Sequence, residues 1–422
     1  GISLKHFDEF NDIADHCTVC HKCLNPCPVN IDYGDVSIQM RNFLRKQNKK
    51  KFNLGSYVGM TYLNLKDPRT IKVMHQLMIN IGYRVQTTIH KIAKKLALGS
   101  RMFTKNPPST VGKSNMVSQV IHFINRPMPK NVPTKTSRAM LGIEDDKIVP
   151  IIRNHNKITD ESDAVFYFPG CGSERLFSQV GLATQAMLYE VGAITVLPPG
   201  YLCCGYPQTS SGDIDKGHEI SSDNRVQFHR IANTLNYLDI KTVIVSCGTC
   251  MDQLSKYQFE SIFPGCRLLD IHEYLMEKEI KMNDVSGVQY MYHEPCHNPM
   301  KTYTSANVTK ALLNQDVKKN DRCCGESGTF AVTRPDIATQ VKMRKSEEIT
   351  KDKNILIKDN KDDVKILTSC PSCLQGLSRY GDETGTDADY IVVEIAKNNL
   401  GANWLQDYVE KANNGGIEKV LL

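Results

Sequence analysis

Cysteine carries the chemistry of this chain: fifteen occur in 422 residues, and all but Cys266 fall into three groups. In a chain with no export signal, so many thiols point to metal or iron-sulfur ligation rather than to disulfides. Cys17, Cys20, Cys23 and Cys27, followed by Pro28, spell C-x2-C-x2-C-x3-C-P. Two-residue spacers wrap a tight loop around a 4Fe-4S cubane, so that three thiolates converge on three iron corners. Four-cysteine zinc sites also use C-x2-C pairs, but a third cysteine at the same interval and the terminal proline favour iron. In chains with two such runs the fourth cysteine serves the other cluster. Here a second run is missing, so either Cys27 completes its own cluster or the partner motif lies upstream of Gly1.

The remaining two groups are copies of each other. Cys171, Cys203, Cys204, Cys247 and Cys250 recur as Cys296, Cys323, Cys324, Cys370 and Cys373, at offsets of 125, 120, 120, 123 and 123 residues. Five thiols exceed what a tetrahedral zinc site needs, although zinc in one repeat remains a rival. Adjacent cysteines cannot both point to one face of a strand. Cys203 and Cys204 therefore fit a turn, freed by Gly205, that presents both sulfurs to a large inorganic core. Two complete copies argue against cysteines that merely fill a core. His293 and His297 flank Cys296 and could tune or protonate a cluster, though strand-end histidines are more often structural. Cys266 has no counterpart in the second repeat and reads as a buried small hydrophobe.

These residues carry a resemblance. Cys171, Cys203-Cys204-Gly205 and Cys247-x-x-Cys250, doubled, resemble the cysteine-rich CCG domain of heterodisulfide reductase. That domain is shared with the iron-sulfur subunits of glycolate oxidase, anaerobic glycerol-3-phosphate dehydrogenase and lactate-utilisation enzymes, where a ferredoxin run precedes two repeats. More closely, His16-Cys-Thr-Val-Cys-His-Lys-Cys, Phe168-Pro-Gly-Cys-Gly-Ser-Glu-Arg-Leu-Phe and Asp321-Arg-Cys-Cys-Gly-Glu-Ser-Gly-Thr-Phe resemble the iron-sulfur part of bacterial fusion oxidoreductases. In those, an FAD-linked oxidase of the D-lactate and glycolate dehydrogenase type comes first. The resemblance implies cubane ligation in the ferredoxin run, and noncubane 4Fe-4S centres held by five cysteines in the repeats. It implies electrons passing from FAD, on a missing domain or separate partner, toward a quinone or another carrier. A heterodisulfide reductase-like thiol or disulfide reductase is the alternative within redox chemistry, and a zinc-stabilised binding module the alternative outside it.

Strands and helices must hold these thiols. Ala164 to Phe168 and Val288 to Tyr292 read as buried strands before the first cysteine of each repeat, and Thr242 to Val245 and Val364 to Leu367 as strands running into the Cys-x-x-Cys turns. Residues 178–191 and 305–314 suit helices. The cysteines then sit at the C-terminal ends of strands, where open α/β sheets bind ligands. The expected fold is α/β: a helical ferredoxin-type segment over 1–40, a basic helical connector over 41–160, and two CCG domains over 161–282 and 283–422, related by an approximate twofold axis.

Charge follows the same division. The three parts 1–40, 41–160 and 161–422 carry 2, 23 and 27 Lys/Arg against 6, 5 and 35 Asp/Glu, for nets of −4, +18 and −8. In the basic part, Ile71, Met74, Met78, Ile81, Val85, Ile89, Ile92 and Leu96 mark one face of a long amphipathic helix, with Asp67 as N-cap, Pro68 first and Gly99 as C-cap. Lys72, Arg84, Lys91, Lys94 and Lys95 lie off that stripe, and residues 105–138 read as an extended connector. Such a platform suits a partner surface or an anionic membrane. It does not suit nucleic acid, since aromatics for stacking are few. Neither a signal sequence nor a run of about 18 apolar residues appears, which places the chain in the cytoplasm or on the inner face of its membrane. No P-loop or G-x-G-x-x-G suggests a nucleotide site.

Overall fold

The computed structural model describes residues 6–96, 115–130, 132–283, 285–326, 330–357 and 363–422. The expected cap Gly99 and residues 105–114 of the expected connector lie outside the described residues.

Two parallel sheets form the body. The first contains β1 (Ile148–Ile152), β2 (Ala164–Phe168), β3 (Ile194–Val196), β4 (Ile240–Val245) and β5 (Arg267–Asp270), and the second β6 (Val288–His293), β7 (Lys318–Asn320), β8 (Asp363–Thr368) and β9 (Asp387–Tyr390). In the first, β3-β2-β4-β5 are neighbours in parallel; in the second, β7-β6-β8-β9 repeat that order. Helices cross between the strands, as parallel pairing demands; Ser178–Glu190 and Ser305–Leu313 fall where the sequence predicts them. A last strand, β10 (Ile417–Leu421), returns to the first sheet and pairs antiparallel with β1, which itself runs antiparallel to β3.

The two repeats share their cores. Val165 and Tyr167 on one face of β2 join Tyr290, Tyr292 and Leu367 of the second repeat, while Phe166 and Phe168 on the other face join Met291 and Ile366. Strands buried on both faces read as unbroken apolar runs, which is the pattern of β2 and β4. Equivalent positions meet reciprocally across the interface. A Cβ on Gly172 would stand 2.9 Å from the Pro371 side chain, and one on Gly248 only 1.6 Å from the His297 carbonyl oxygen. Gly172 and His297 follow the first cysteine of each repeat, and Gly248 and Pro371 the fourth, so the contacts are exchanged by an approximate twofold axis.

Ahead of this body lie α1 (Phe7–Asp15), α2 (Tyr33–Lys46), α3 (Leu54–Asn64) and the predicted long helix. The latter runs as α4 (Pro68–His75), a π-helical segment Gln76–Gly82 and α5 (Tyr83–Lys95); Asp67 caps it by accepting from the Thr70 amide at 2.8 Å. The predicted stripe faces inward only at its start. Ile71 is buried, and Met74 and Met78 pack half-buried with it against Tyr62 and Tyr201, but Ile81, Val85, Ile89, Ile92 and Leu96 are 44–67% exposed; the buried residues are Ile71, His75, Ile79, Asn80, Gln86, His90 and Ala93. Polar side chains on the inside bond to nearby backbone: Gln86 donates to the Arg126 carbonyl at 2.8 Å and accepts from the Met128 amide at 3.0 Å, and His90 Nδ1 lies 2.9 Å from the Ile124 carbonyl. The expected extended connector is also corrected in part. Met116–Ile124 is a helix, α6, capped by Asn115, which accepts from the Ser118 amide at 2.9 Å. Its mostly apolar residues outweigh the Pro- and Ser-rich flanks. Among the described residues no helix is long and apolar enough to cross a membrane.

Candidate metal centre

The ferredoxin-type run fills the loop between α1 and α2. Its backbone takes left-handed conformations at Val19, His21 and Asn30, with φ of 54, 57 and 55°, and three amides of the loop and the start of α2 donate to sulfur. Val19 N–H donates to Cys17 Sγ, Tyr33 N–H to Cys23 Sγ and Ile31 N–H to Cys27 Sγ, each at 3.3 Å. Such bonds stabilise thiolate charge and tune a cluster. Arg41 holds the loop: its guanidinium donates to the carbonyls of Cys17 at 2.6 Å, Ala14 at 2.7 Å and, in the first repeat, Ser210 at 2.6 Å. Cys23 is exposed and the other three are half-buried, so the run lies near the surface.

The repeat cysteines are deeper. Cys171 and Cys296 follow β2 and β6, Cys203-Cys204 and Cys323-Cys324 follow β3 and β7, and the Cys-x-x-Cys turns follow β4 and β8, all at C-terminal strand ends. Gly205 and Gly325 adopt φ of 88 and 76°, the left-handed bend that each cysteine pair requires. All fifteen cysteines are free. Their sulfurs run in one string: Cys171 to Cys203, Cys204, Cys250 and Cys247, across the twofold axis to Cys370, then Cys373, Cys324 and Cys323. Bonds from neighbouring thiols hold Cys203, Cys247 and Cys324 well below the ordinary thiol range, and the thiols that donate to them are pushed well above it. Cys324 and Cys373 stand 3.6 Å apart. Buried thiols in mutual contact, with no disulfide among them, fit a soft or borderline-soft metal centre.

The ferredoxin-type loop reaches the seam between the repeats. His297, beside Cys296, has Nδ1 2.5 Å from Asp252 and Nε2 2.9 Å from both the Val19 carbonyl and the Tyr206 hydroxyl. Lys22 Nζ donates to the Asp321 carbonyl at 2.6 Å. Burial, with Cys324 and Cys20 nearby, pushes the Cys296 thiol up to about 12, so Cys20 of the run lies within electrostatic reach of the second repeat. Cys296 itself is half-buried and reaches the string through Cys323 and Cys324 by charge rather than by a bond. Cys266 stays apart from the other cysteines; it is half-buried on the loop before β5 and packs against the apolar core as a small hydrophobe. Spacing could not show that Val19, Tyr206 and Asp252 meet at His297, because the contact joins three separate parts of the chain.

A family model described as a cysteine-rich domain, CCG, matches residues 165–255 and 290–378, and one described as a domain of unknown function, DUF3400, matches residues 378–422. The chain is 22% identical over 401 residues to an uncharacterized iron-sulfur protein of Methanococcus maripaludis, covering 92% of this chain but 62% of that one. It is 21% identical over 400 residues to a probable glycolate oxidase iron-sulfur subunit of Bacillus subtilis, covering 90% and 80%. It is 22% identical over 420 residues to one of the subunits of the dihydromethanophenazine:CoB--CoM heterodisulfide reductase of Methanosarcina mazei, covering 92% and 94%. No solved structure gives a significant match.

Proposed function

We propose, from the premise that this is a protein of the iron-sulfur family with two CCG domains, that it is the electron-relay part of a flavin-dependent 2-hydroxy-acid dehydrogenase of the D-lactate or glycolate type. FAD belongs to a separate domain or subunit, and a quinone or another carrier takes the electrons. Cys17, Cys20, Cys23 and Cys27 would hold a cubane cluster, and the five cysteines of each repeat a further centre. When bound, iron-sulfur clusters supply one-electron carriers whose potentials respond to hydrogen bonds at sulfur and to solvent exposure. The chain's own groups supply those influences: the amides of Val19, Ile31 and Tyr33 at the run, and a buried apolar shell around the repeats.

The observation that carries this reading is the junction at His297. It fastens the surface-lying run to the seam where both repeats bring their sulfurs together. A relay needs its centres in series, with one end open to a donor or acceptor and the rest shielded from water. The exposed apolar stripe of α4 and α5, bordered by Lys72, Arg84, Lys91 and Lys94, suits the anionic membrane surface where a quinone would be met. Flotation with anionic vesicles, lost at high salt, is expected; no flotation at low salt would assign the stripe to the flavin partner instead.

The match along nearly the full length of the reductase relative favours thiol or disulfide reduction as the second reading. Anaerobic reconstitution of the full chain with iron and sulfide, followed by EPR, tests the leading one. Cys20→Ala should remove one signal and leave those of the repeats, and retention of the full iron content would overturn the ligand assignment. Reduction of the relay by a hydroxy acid through the flavin partner supports the dehydrogenase. Oxidation of the reduced chain by a small disulfide, without that partner, supports the reductase.

A further inference from the structure

The duplication sets up a comparison at one position. Tyr167 near the end of β2 pairs its hydroxyl with Ser246 at 2.7 Å, and Tyr292 near the end of β6 pairs with Ser369 at 2.9 Å, so the two strand ends are in register. The next residue differs: Phe168 in the first repeat, His293 in the second. Phe168 is fully buried and packs its ring against Phe228, with centroids 6.1 Å apart. His293 is 1% exposed in the equivalent place; neither ring nitrogen meets an oxygen or nitrogen, and the group that its ring pairs with is the Cys324 thiol. The backbone is fixed, since Thr368 Oγ1 donates to the His293 carbonyl at 3.3 Å. A buried imidazole of this kind is retained where its nitrogen has something else to bind.

What it faces is sulfur. One ring nitrogen of His293 and the sulfurs of Cys324 and Cys373 lie within 4.8 Å of one another, whereas among the described residues no three cysteines of either repeat close to that distance. The Cys324 to Cys373 separation of 3.6 Å is close to the ~3.8 Å expected for two thiolates on one tetrahedral ion with metal-sulfur bonds of about 2.3 Å. Imidazole and thiolate together are a donor set for zinc or for a cluster iron.

We propose that His293 ligates metal through a ring nitrogen beside Cys324 and Cys373, so that the second repeat holds a mixed nitrogen and sulfur centre while the first is bound by sulfur alone. The two repeats are then unequal in chemistry although equal in fold. This rests on the reading that both repeats hold metal, and goes beyond it in naming a ligand outside the cysteine pattern.

The test uses the full chain, loaded anaerobically in one arm with ferrous iron and sulfide and in the other with zinc alone, beside His293→Phe and His293→Cys. Metal and sulfide are counted in each arm. Nitrogen hyperfine coupling is read by pulsed EPR in the iron arm, and a nitrogen scatterer at about 2.0–2.1 Å by X-ray absorption in the zinc arm. In whichever arm loads the second repeat, the nitrogen signature should be present in the wild type and absent from His293→Phe. The same variant should bind that metal at least about tenfold more weakly, with the signals of the ferredoxin-type run and the first repeat unchanged. His293→Cys should restore the metal count without the nitrogen signature. Metal in both repeats with an unchanged signature in His293→Phe overturns the assignment and leaves the relay intact. Absence of metal from both repeats in the wild type overturns the relay as well. Should His293→Phe fail to fold, the nitrogen signature of the wild type and its loss in His293→Cys decide alone.

Discussion

At Gly170 a single missing side chain makes room for a sulfur. Its φ is +68°, and a Cβ there would stand 2.7 Å from Cys250 Sγ. An alanine at this position would meet both the left-handed strain, about 1–2 kcal/mol, and a collision with a thiol of the first repeat. Gly170→Ala is therefore expected to lower metal content by the first repeat's share and to leave the second repeat loaded, since Pro295 holds the equivalent position there. Metal counting after reconstitution checks it; equal loss from both repeats would mean that the glycine acts on the whole body. The cysteine groups and their duplication were legible because ligand spacing is a local property of the chain. The meeting of Cys247 with Cys370 was not, because the offset between repeats says nothing about which of their ends face each other. His293 was singled out only by its place near Cys296, and its contact with Cys324 and Cys373 is visible only once the strand is packed.

The long helix of α4 and α5 shows where element-scale reading succeeds and where it misleads. Its existence, its cap at Asp67 and its first proline follow from periodicity and end chemistry. Its orientation does not, because the apolar period assumes that apolar residues face inward. Here much of the inward face is closed by polar side chains that bond to the backbone of Ile124, Arg126, Met128 and Thr134, Asn80 donating to the Thr134 carbonyl at 3.3 Å. This predicts a reversal of the expected sensitivity. Ile79→Ala, at a 4% exposed position, should destabilise by about 2–4 kcal/mol. Ile89→Ala, at a 44% exposed position, should stay within about 0.5 kcal/mol. Urea unfolding of the two variants decides it, and a large loss at Ile89 would mean that the stripe is covered in the folded protein. The reciprocal contact at Gly248 gives a sharper case at the interface of the repeats. Since the obstacle is the His297 carbonyl, which cannot rotate away, Gly248→Ala should open the seam. A fall in melting temperature with loss of the Val19 to His297 bond is expected, and an unchanged melting temperature would remove the seam from the argument.

On the scale of the whole molecule, the sequence foretold two similar α/β units, but not the return of β10 to the first sheet or the way the N-terminal segment is locked to both units. Strand pairing over more than 260 residues leaves no local trace, and neither does a lone arginine. Arg334 is that arginine. It is 1% exposed, donates to Asp336 at 3.1 and 3.0 Å, and reaches Asp12 of α1 at 2.5 Å, joining the second repeat to the ferredoxin-type segment. Burial pushes the Asp336 carboxyl up, but the bidentate bond to Arg334 outweighs it and holds the group below its ordinary value. A carboxylate depressed in the folded state adds stability above its unfolded pKa, and that contribution fades as pH falls through the lower folded value. Arg334→Met removes the cation and leaves Asp336 buried without its partner, which should cost about 3 kcal/mol at neutral pH. With Arg334 gone, burial raises the carboxyl, so acid neutralises it early and relieves the variant first. The deficit relative to wild type should accordingly be largest near pH 7 and shrink toward pH 4, as denaturant unfolding at both values would measure. A deficit independent of pH would mean that Arg334 contributes packing alone, and that the lock between the ferredoxin-type segment and the second repeat lies with Lys22 and His297 instead.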